Sequence, residues 1–203
     1  MRSIERILVD IDTQLDFMRP DGALYVPNAV QIVPNLVRLI GLARASRVPV
    51  ISSADCHVEN DPEFEQFPPH CVDGTAGQAK LPETLLPRRL TIGPDERVEG
   101  LDRLFDEYDQ LVFETTTFDV WTNPSAAGLI ESLSVGEYVV FGVATDYCVR
   151  DAAMGLLKRG CRVVVVGDAI QAITEQTGRA AVEEMTAAGA RWVTTDEVVG
   201  ESP

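Results

Sequence analysis

The segment "EYVVFGVATDYCVRDAAMGLLKRGCRVVVVGD", residues 137–168, contains a strand–helix–strand pattern. The apolar runs at 137–143 and 161–168 predict two strands, and residues 146–159 between them predict a helix. Both runs are almost continuously apolar, which is typical of strands that are covered on both faces. Two strands joined through a helix pair in parallel. This segment therefore predicts an α/β fold.

The same alternation extends over the rest of the chain. Further strands are predicted at 6–11, 48–53, 110–115 and 191–195, and further helices at 28–46, 123–134 and 175–189. The last helix begins at a "TEQT" capping pattern and ends at Gly189. No linker or repeat divides the sequence. We therefore expect a single domain over 1–203, built as a three-layer α/β/α sandwich with a mainly parallel sheet.

The composition limits which binding partners and which cellular compartment are expected. The formal net charge of −15 disfavours binding to nucleic acids and anionic membranes, which requires clustered Lys and Arg. No segment approaches the roughly 20 apolar residues that cross a bilayer. Aspartates interrupt the N-terminal stretch "MRSIERILVDID", so it does not resemble a signal peptide. We expect a cytoplasmic protein whose four cysteines form no disulfide framework.

Polar side chains follow the predicted strands where ligands bind in such sheets. Asp10 and Asp12 lie at the end of the first strand, where a buried carboxylate must be paired or functional. Cys148 falls in the first turn of the helix that follows residues 137–143. A helix N-terminus favours thiolate, so we expect a depressed pKa for this cysteine. A turn-capping aspartate and a packing cysteine are the alternatives.

The stretch "ADCHVENDPEFEQFPPHC", residues 54–71, contains both histidines of the chain. One interpretation is a zinc site made of two adjacent Cys/His pairs: Cys56 with His57, and His70 with Cys71. Neighbouring side chains on an extended backbone point to opposite sides, which disfavours that set. The second interpretation takes the alternate residues Asp55 and His57, with His70 from a separate loop.

Three motifs in order, "DTQLDF" (12–17), "FPPHCVDGT" (67–75) and "GVATDYCV" (142–149), give the chain a resemblance to a known family. It resembles the isochorismatase-like cysteine hydrolases over about residues 5–195, and among them the nicotinamidases. The resemblance implies that Asp12 is the catalytic aspartate and Cys148 the nucleophile. It also implies a cis peptide between Val143 and Ala144, and an oxyanion hole formed by the N–H groups of Ala144 and Cys148.

The resemblance further implies one divalent metal ion. Its ligands would be Asp55, His57, Glu63 and His70, a donor set that suits zinc, with iron or manganese as alternatives. The family's aromatic walls around the substrate correspond here to Phe17, Phe67, Trp121 and Tyr147.

The lysine of the family's triad is missing. In "TTTFDVW" (115–121), Thr115 occupies its position, from which the hydroxyl could donate a hydrogen bond to Asp12. The only lysines in the chain are Lys80 and Lys158. Lys80, on the loop after the histidine stretch, is a candidate to replace the missing cation, and Arg19 is another.

The predicted function is hydrolysis of a small amide, foremost nicotinamide to nicotinate and ammonia. A related hydrolase of a carbamoyl or ureido compound is the first alternative. A non-catalytic, ligand-binding member is the second, because of Thr115. The resemblance also implies a homo-oligomer.

Overall fold

The computed structural model describes residues 2–200. Its strands are β1 (Arg2–Ile11), β2 (Val50–Asp55), β3 (Arg89–Ile92), β4 (Gln110–Thr115), β5 (Leu133–Val143), β6 (Val163–Gln171) and β7 (Arg191–Val193). Its α-helices are α1 (Leu15–Met18), α2 (Val33–Ser46), α3 (Leu104–Glu107), α4 (Pro124–Ser132), α5 (Arg150–Lys158), α6 (Glu175–Ala187) and α7 (Thr195–Gly200). The strands form one sheet in the order β3-β4-β2-β1-β5-β6-β7, and every pairing is parallel.

Apolar side chains cover both faces of this sheet. Successive residues of one strand enter opposite clusters: Val140 packs in the cluster with α4, α5 and α6, and Val139 packs in the cluster with α2 and α7. Both side chains are fully buried. This period-2 division explains why the strands read as continuous apolar runs. The predicted three-layer α/β/α sandwich is confirmed.

Several element boundaries differ from the predictions. The edge strand β3 was not predicted, because its four residues include two exposed side chains and no apolar run. Strand β5 begins at Leu133, four residues before the predicted start, and the preceding helix ends at Ser132. The predicted helix at 146–159 divides into a π-helical turn (Thr145–Val149) and α5. The predicted cap of α6 is confirmed, since Thr174 Oγ1 accepts a hydrogen bond from Thr177 N.

The sheet order brings three chain segments together. Strands β2, β1 and β5 are neighbours at the centre of the sheet, so the residues after their carboxyl ends meet at one edge. These segments contain Asp12, the Asp55–His57 stretch and the turn that carries Cys148. Within residues 2–200, no helix is both long and apolar enough to cross a bilayer.

Candidate active site

Asp12 and Cys148 face each other at the carboxyl edge of the sheet. Asp12 follows β1 in a left-handed conformation (φ 44°) and is 1% exposed. Its carboxylate accepts hydrogen bonds from Ser53 Oγ, at 2.5 Å, and from the thiol of Cys148. The Asp12 N–H in turn donates to Ser53 Oγ at 3.1 Å. Ser53 therefore fixes the carboxylate beside the thiol.

The environment of Cys148 raises its pKa well above the ordinary thiol value. Burial is the largest cause, followed by the negative charges of Asp12 and Asp55. The depressed pKa expected from the helix N-terminus is therefore wrong, because two buried carboxylates outweigh the backbone amides of a single turn. Burial also raises the pKa of Asp12, while the hydrogen bonds from Ser53 and Cys148 and the charge of Lys80 lower it. The thiol of the resting protein is thus neutral and is hydrogen-bonded to the carboxyl group of Asp12.

Asp55, His57 and His70 form the one group of three close metal-type ligands in residues 2–200. Asp55 Oδ2 lies 3.6 Å from His57 Nε2 and 3.8 Å from His70 Nε2. Glu63 stands at the rim of this group, with Oε1 3.6 Å from His70 Nε2. The structure thus brings together the four residues that the resemblance implies.

The alternative Cys/His set is not brought together. The thiol of Cys56 contacts Asp73 and Glu114 instead, and burial, followed by these two carboxylates, raises its pKa to about 12. Cys71 is fully buried, and burial raises its pKa far above the ordinary thiol value. Alternation along the extended backbone accounts for the outcome, since Asp55 and His57 share a side that Cys56 does not.

The donors of this cluster fit a divalent ion. Asp55 Oδ1 and His57 Nε2 are buried atoms without a hydrogen-bond partner among the described residues, an arrangement that is costly unless a ligand satisfies them. His70 Nδ1 lies 2.8 Å from Pro68 O, which leaves Nε2 free to bind a metal. His57 Nδ1 also has no hydrogen bond among the described residues, but it lies 3.0 Å from Asp61 Oδ2, which is ion-pair distance.

Protonation of the cluster reflects the crowding of these groups. Burial and the charge of Asp12 raise the pKa of Asp55 to about 7. Burial by itself would lower the pKa of His57, but the carboxylates of Asp55 and Asp61 raise it to about 9. A bound cation would replace protons that these groups otherwise hold.

A cavity with about 370 Å³ of empty space, open mouth included, connects this cluster to the thiol. Its walls are mostly apolar, with Cys148 and Ala144 on one side and acidic and imidazole groups on the other. The lining residues are Phe17, Leu24, Val26, Asp55, Glu63, Phe67, His70, Phe118, Ala144, Tyr147, Cys148 and Ile173. The rings of Phe67, Phe118 and Tyr147 pack edge to face, with centroids 5.3–6.2 Å apart. The cavity suits a small flat ligand.

The cavity is lined by three of the four side chains that were predicted to form the aromatic wall. Phe17, Phe67 and Tyr147 line it, but Trp121 does not. Trp121 is buried in the core beside α5, where its Nε1 donates to Ala152 O at 2.8 Å. The side chain turns inward because Gly155 leaves space for the indole ring. Phe118 lines the cavity instead of Trp121. The sequence could have indicated this, because Phe118 is the other aromatic residue of "TTTFDVW".

Thr115 also differs from expectation. Its hydroxyl interacts with Thr117 and Thr122 and forms no hydrogen bond with Asp12 among the described residues. The loop after β4 turns back at this point and supplies nearer partners. Thr115 is therefore a loop-stabilising residue here rather than a partner of the aspartate.

Two further features complete the site. The peptide bond between Val143 and Ala144 is cis. Lys80 enters the buried region behind Asp12, where its Nζ lies 3.1 Å from Asp10 Oδ2, whereas Arg19 is exposed. Ser53, which holds Asp12, was not predicted, because nothing in "VISSAD" distinguishes it from Ser52.

The model of the Isochorismatase domain family matches residues 6–197. The chain belongs to this family. It is 28% identical to a nicotinamidase of Escherichia coli strain K12, over 91% of this chain and 92% of that protein. It is 26% identical to a protein named probable inactive nicotinamidase from Arabidopsis thaliana, over 94% and 92% of the two chains. A crystal structure of pyrazinamidase of Pyrococcus horikoshii in complex with zinc matches with a TM-score of 0.77 and 28% identity, covering 94% of this chain and 99% of that one.

Membership of the isochorismatase family agrees with the fold and with the predicted resemblance to nicotinamidases. The similarity to a zinc complex and the cluster of Asp55, His57 and His70 together indicate a divalent metal site. The family assignment therefore supports a hydrolase that acts on amide bonds.

Proposed function

We propose that this chain is a metal-dependent cysteine amidohydrolase that converts nicotinamide to nicotinate and ammonia. One observation carries the proposal: the thiol of Cys148, in contact with the carboxylate of Asp12, shares a small aromatic cavity with the metal-type donors of Asp55 and His70. The similarity to nicotinamidases over most of both chains supports the choice of substrate.

The first chemical step is a proton transfer within the buried pair. Asp12 takes the proton of the Cys148 thiol, and the sulfur attacks the amide carbon. The N–H groups of Ala144 and Cys148 stabilise the oxyanion that forms. Asp12 then returns the proton to the nitrogen, ammonia leaves, and a thioester remains on Cys148. A water molecule then gives a proton to Asp12 and attacks the thioester carbon, the C–S bond breaks to release the acid, and Asp12 returns the proton to the sulfur of Cys148.

The metal ligands would be Asp55, His57 and His70, with Glu63 at the rim. When bound, the ion supplies positive charge and a coordination position that fixes a ring nitrogen of the substrate. Phe17, Phe67, Phe118 and Tyr147 enclose the ring and exclude water from the thiol. The aromatic and mostly apolar lining of the cavity favours an aromatic carboxamide over an open-chain carbamoyl or ureido compound.

A non-catalytic member is the second candidate, and Thr115 at the family's lysine position is the observation that favours it. The buried contact of Asp12 with Cys148 argues for the enzyme, because burying a carboxylate beside a thiol is costly without a use.

Ammonia release from nicotinamide tests the proposal. We expect turnover by the parent chain, loss of it in Cys148→Ala, and loss after chelation that zinc restores. Cys161→Ala is the matched control, since that cysteine lies outside the cavity. Activity that survives Cys148→Ala would refute the nucleophile. Turnover of carbamoyl compounds without turnover of nicotinamide would replace the substrate class, and absence of any turnover would favour the non-catalytic member.

A further inference from the structure

Lys80 is a buried lysine on a loop that is hydrogen-bonded to the segment directly after β1. Its side chain is 4% exposed, whereas Lys158 lies at the exposed end of α5. Backbone hydrogen bonds fix the loop on both sides of Lys80: Leu81 N donates to Thr13 O at 2.8 Å, and Leu15 N donates to Ala79 O at 2.9 Å. The ammonium group is thus held at one place in the interior.

Lys80 makes two contacts close to the proposed catalytic pair, Asp12 and Cys148. Its Nζ lies 3.1 Å from Asp10 Oδ2 and donates to Ser53 O at 2.8 Å. Ser53 is also the residue whose hydroxyl holds Asp12. The lysine therefore fixes the backbone of the residue that positions the carboxylate beside Cys148.

Asp10 does not cancel the charge of Lys80 at Asp12. The Asp10 carboxylate accepts hydrogen bonds from Thr13 Oγ1, at 2.9 Å, and from Ser52 Oγ, at 3.0 Å, so its own charge is dispersed over several donors. The charge of Lys80 lowers the pKa of Asp12 by more than the charge of Asp10 raises it. The net effect of the ion pair on Asp12 is that of a cation.

The chemistry needs such a cation. When the proton moves, the S–H bond of Cys148 breaks and an O–H bond forms on Asp12, so the pair carries one negative charge before and after the step. In a buried site the fully protonated, uncharged pair competes with this state. A fixed positive charge nearby favours the singly ionised pair wherever its negative charge resides.

We propose that Lys80 is the positioning residue that keeps the Asp12–Cys148 pair singly ionised, from a loop instead of from the position of Thr115. The inference deepens the proposed function and rests on it for the role of the pair. The state of the thiol, however, is measurable without any substrate.

The test compares Lys80→Met, the double variant Asp10→Asn/Lys80→Met and the control Lys158→Met. The double variant has no unpaired buried charge at this place, so we expect it to recover the thermal stability that Lys80→Met loses. The readout is the rate at which iodoacetamide alkylates Cys148, followed by peptide mass mapping to separate it from the other cysteines. We expect at least a tenfold slower reaction in both Lys80 variants, from a charge effect of about one pKa unit, and no change in Lys158→Met.

A double variant with both the parental stability and the parental alkylation rate would overturn the proposal, because Lys80 would then only neutralise Asp10. With nicotinamide, the same variants should lose kcat with KM nearly unchanged, since Lys80 does not line the cavity. A parent chain with the expected alkylation pattern but no amide turnover would refute the proposed substrate and leave the inference on Lys80 standing. Turnover of nicotinamide by the parent, with equal alkylation rates of Cys148 in all variants, would support the proposed substrate and refute the inference on Lys80.

Discussion

Replacing Ser53 by Ala perturbs the catalytic carboxylate without touching the cavity. The Ser53 hydroxyl is a donor to Asp12 Oδ1 at 2.5 Å and an acceptor from Asp12 N at 3.1 Å, and Ser53 is 2% exposed. A hydrogen bond to a charged group contributes about 1.5–3 kcal/mol. The anionic state of Asp12 should therefore become less favourable by that amount.

This loss converts to a fall in kcat/KM of about ten- to 150-fold, because about 1.4 kcal/mol corresponds to a factor of ten. The sign follows from the donor: without it the pKa of Asp12 rises further, and fewer molecules have a carboxylate ready to accept the thiol proton. Nicotinamide turnover and alkylation of Cys148 both measure the effect.

Ser52→Ala is the matched control. Ser52 Oγ also donates to a buried carboxylate, Asp10, at 3.0 Å, and also accepts one N–H, from Gln110 at 2.8 Å. The two variants lose the same kinds of hydrogen bond, but only Ser53→Ala removes a hydrogen bond to Asp12 itself. Equal losses of activity in the two variants would refute the reasoning, since a general loosening of β2 would then explain both.

Two predictions concern the metal cluster. Asp61→Asn should weaken zinc binding about ten- to 100-fold in a chelator competition, because the Asp61 carboxylate lies beside the imidazole of His57. The control Glu59→Gln, at an exposed position, should leave the zinc affinity unchanged. Equal zinc affinities for Asp61→Asn and the parent would exclude this role of Asp61. Zinc binding should also weaken as the pH falls, because the ion displaces the proton of His57 (pKa about 9) and, below about pH 7, that of Asp55 as well. A pH-stat should record release of about one proton per zinc at pH 8 and about two at pH 6, and zinc binding without proton release would contradict these pKa directions.

Local patterns in the sequence were sufficient for the fold class, whereas the assignment of Asp12 and Cys148 depended on the resemblance to a known family. Continuous apolar runs separated by helical segments predict a parallel sheet covered on both faces, and the sheet order then brings the residues after β1, β2 and β5 to one edge. Alternation along the strand end selects Asp55 and His57 and excludes Cys56. These features depend on neighbours one or two positions apart, whose relative directions the backbone fixes.

Contacts between distant segments decided the rest. The sequence does not indicate that Lys80 reaches Asp10 across 70 positions, that Gly155 makes space for Trp121, or that Thr115 turns to Thr117. The direction of the pKa shift at Cys148 is likewise a tertiary property, because it sums burial and the charges of two carboxylates from separate strands. The identity of the residues and their order along the chain determine which reactive side chains the protein has. Only packing determines which charges lie within a few ångströms of each other, and electrostatic effects in a buried site depend on that separation.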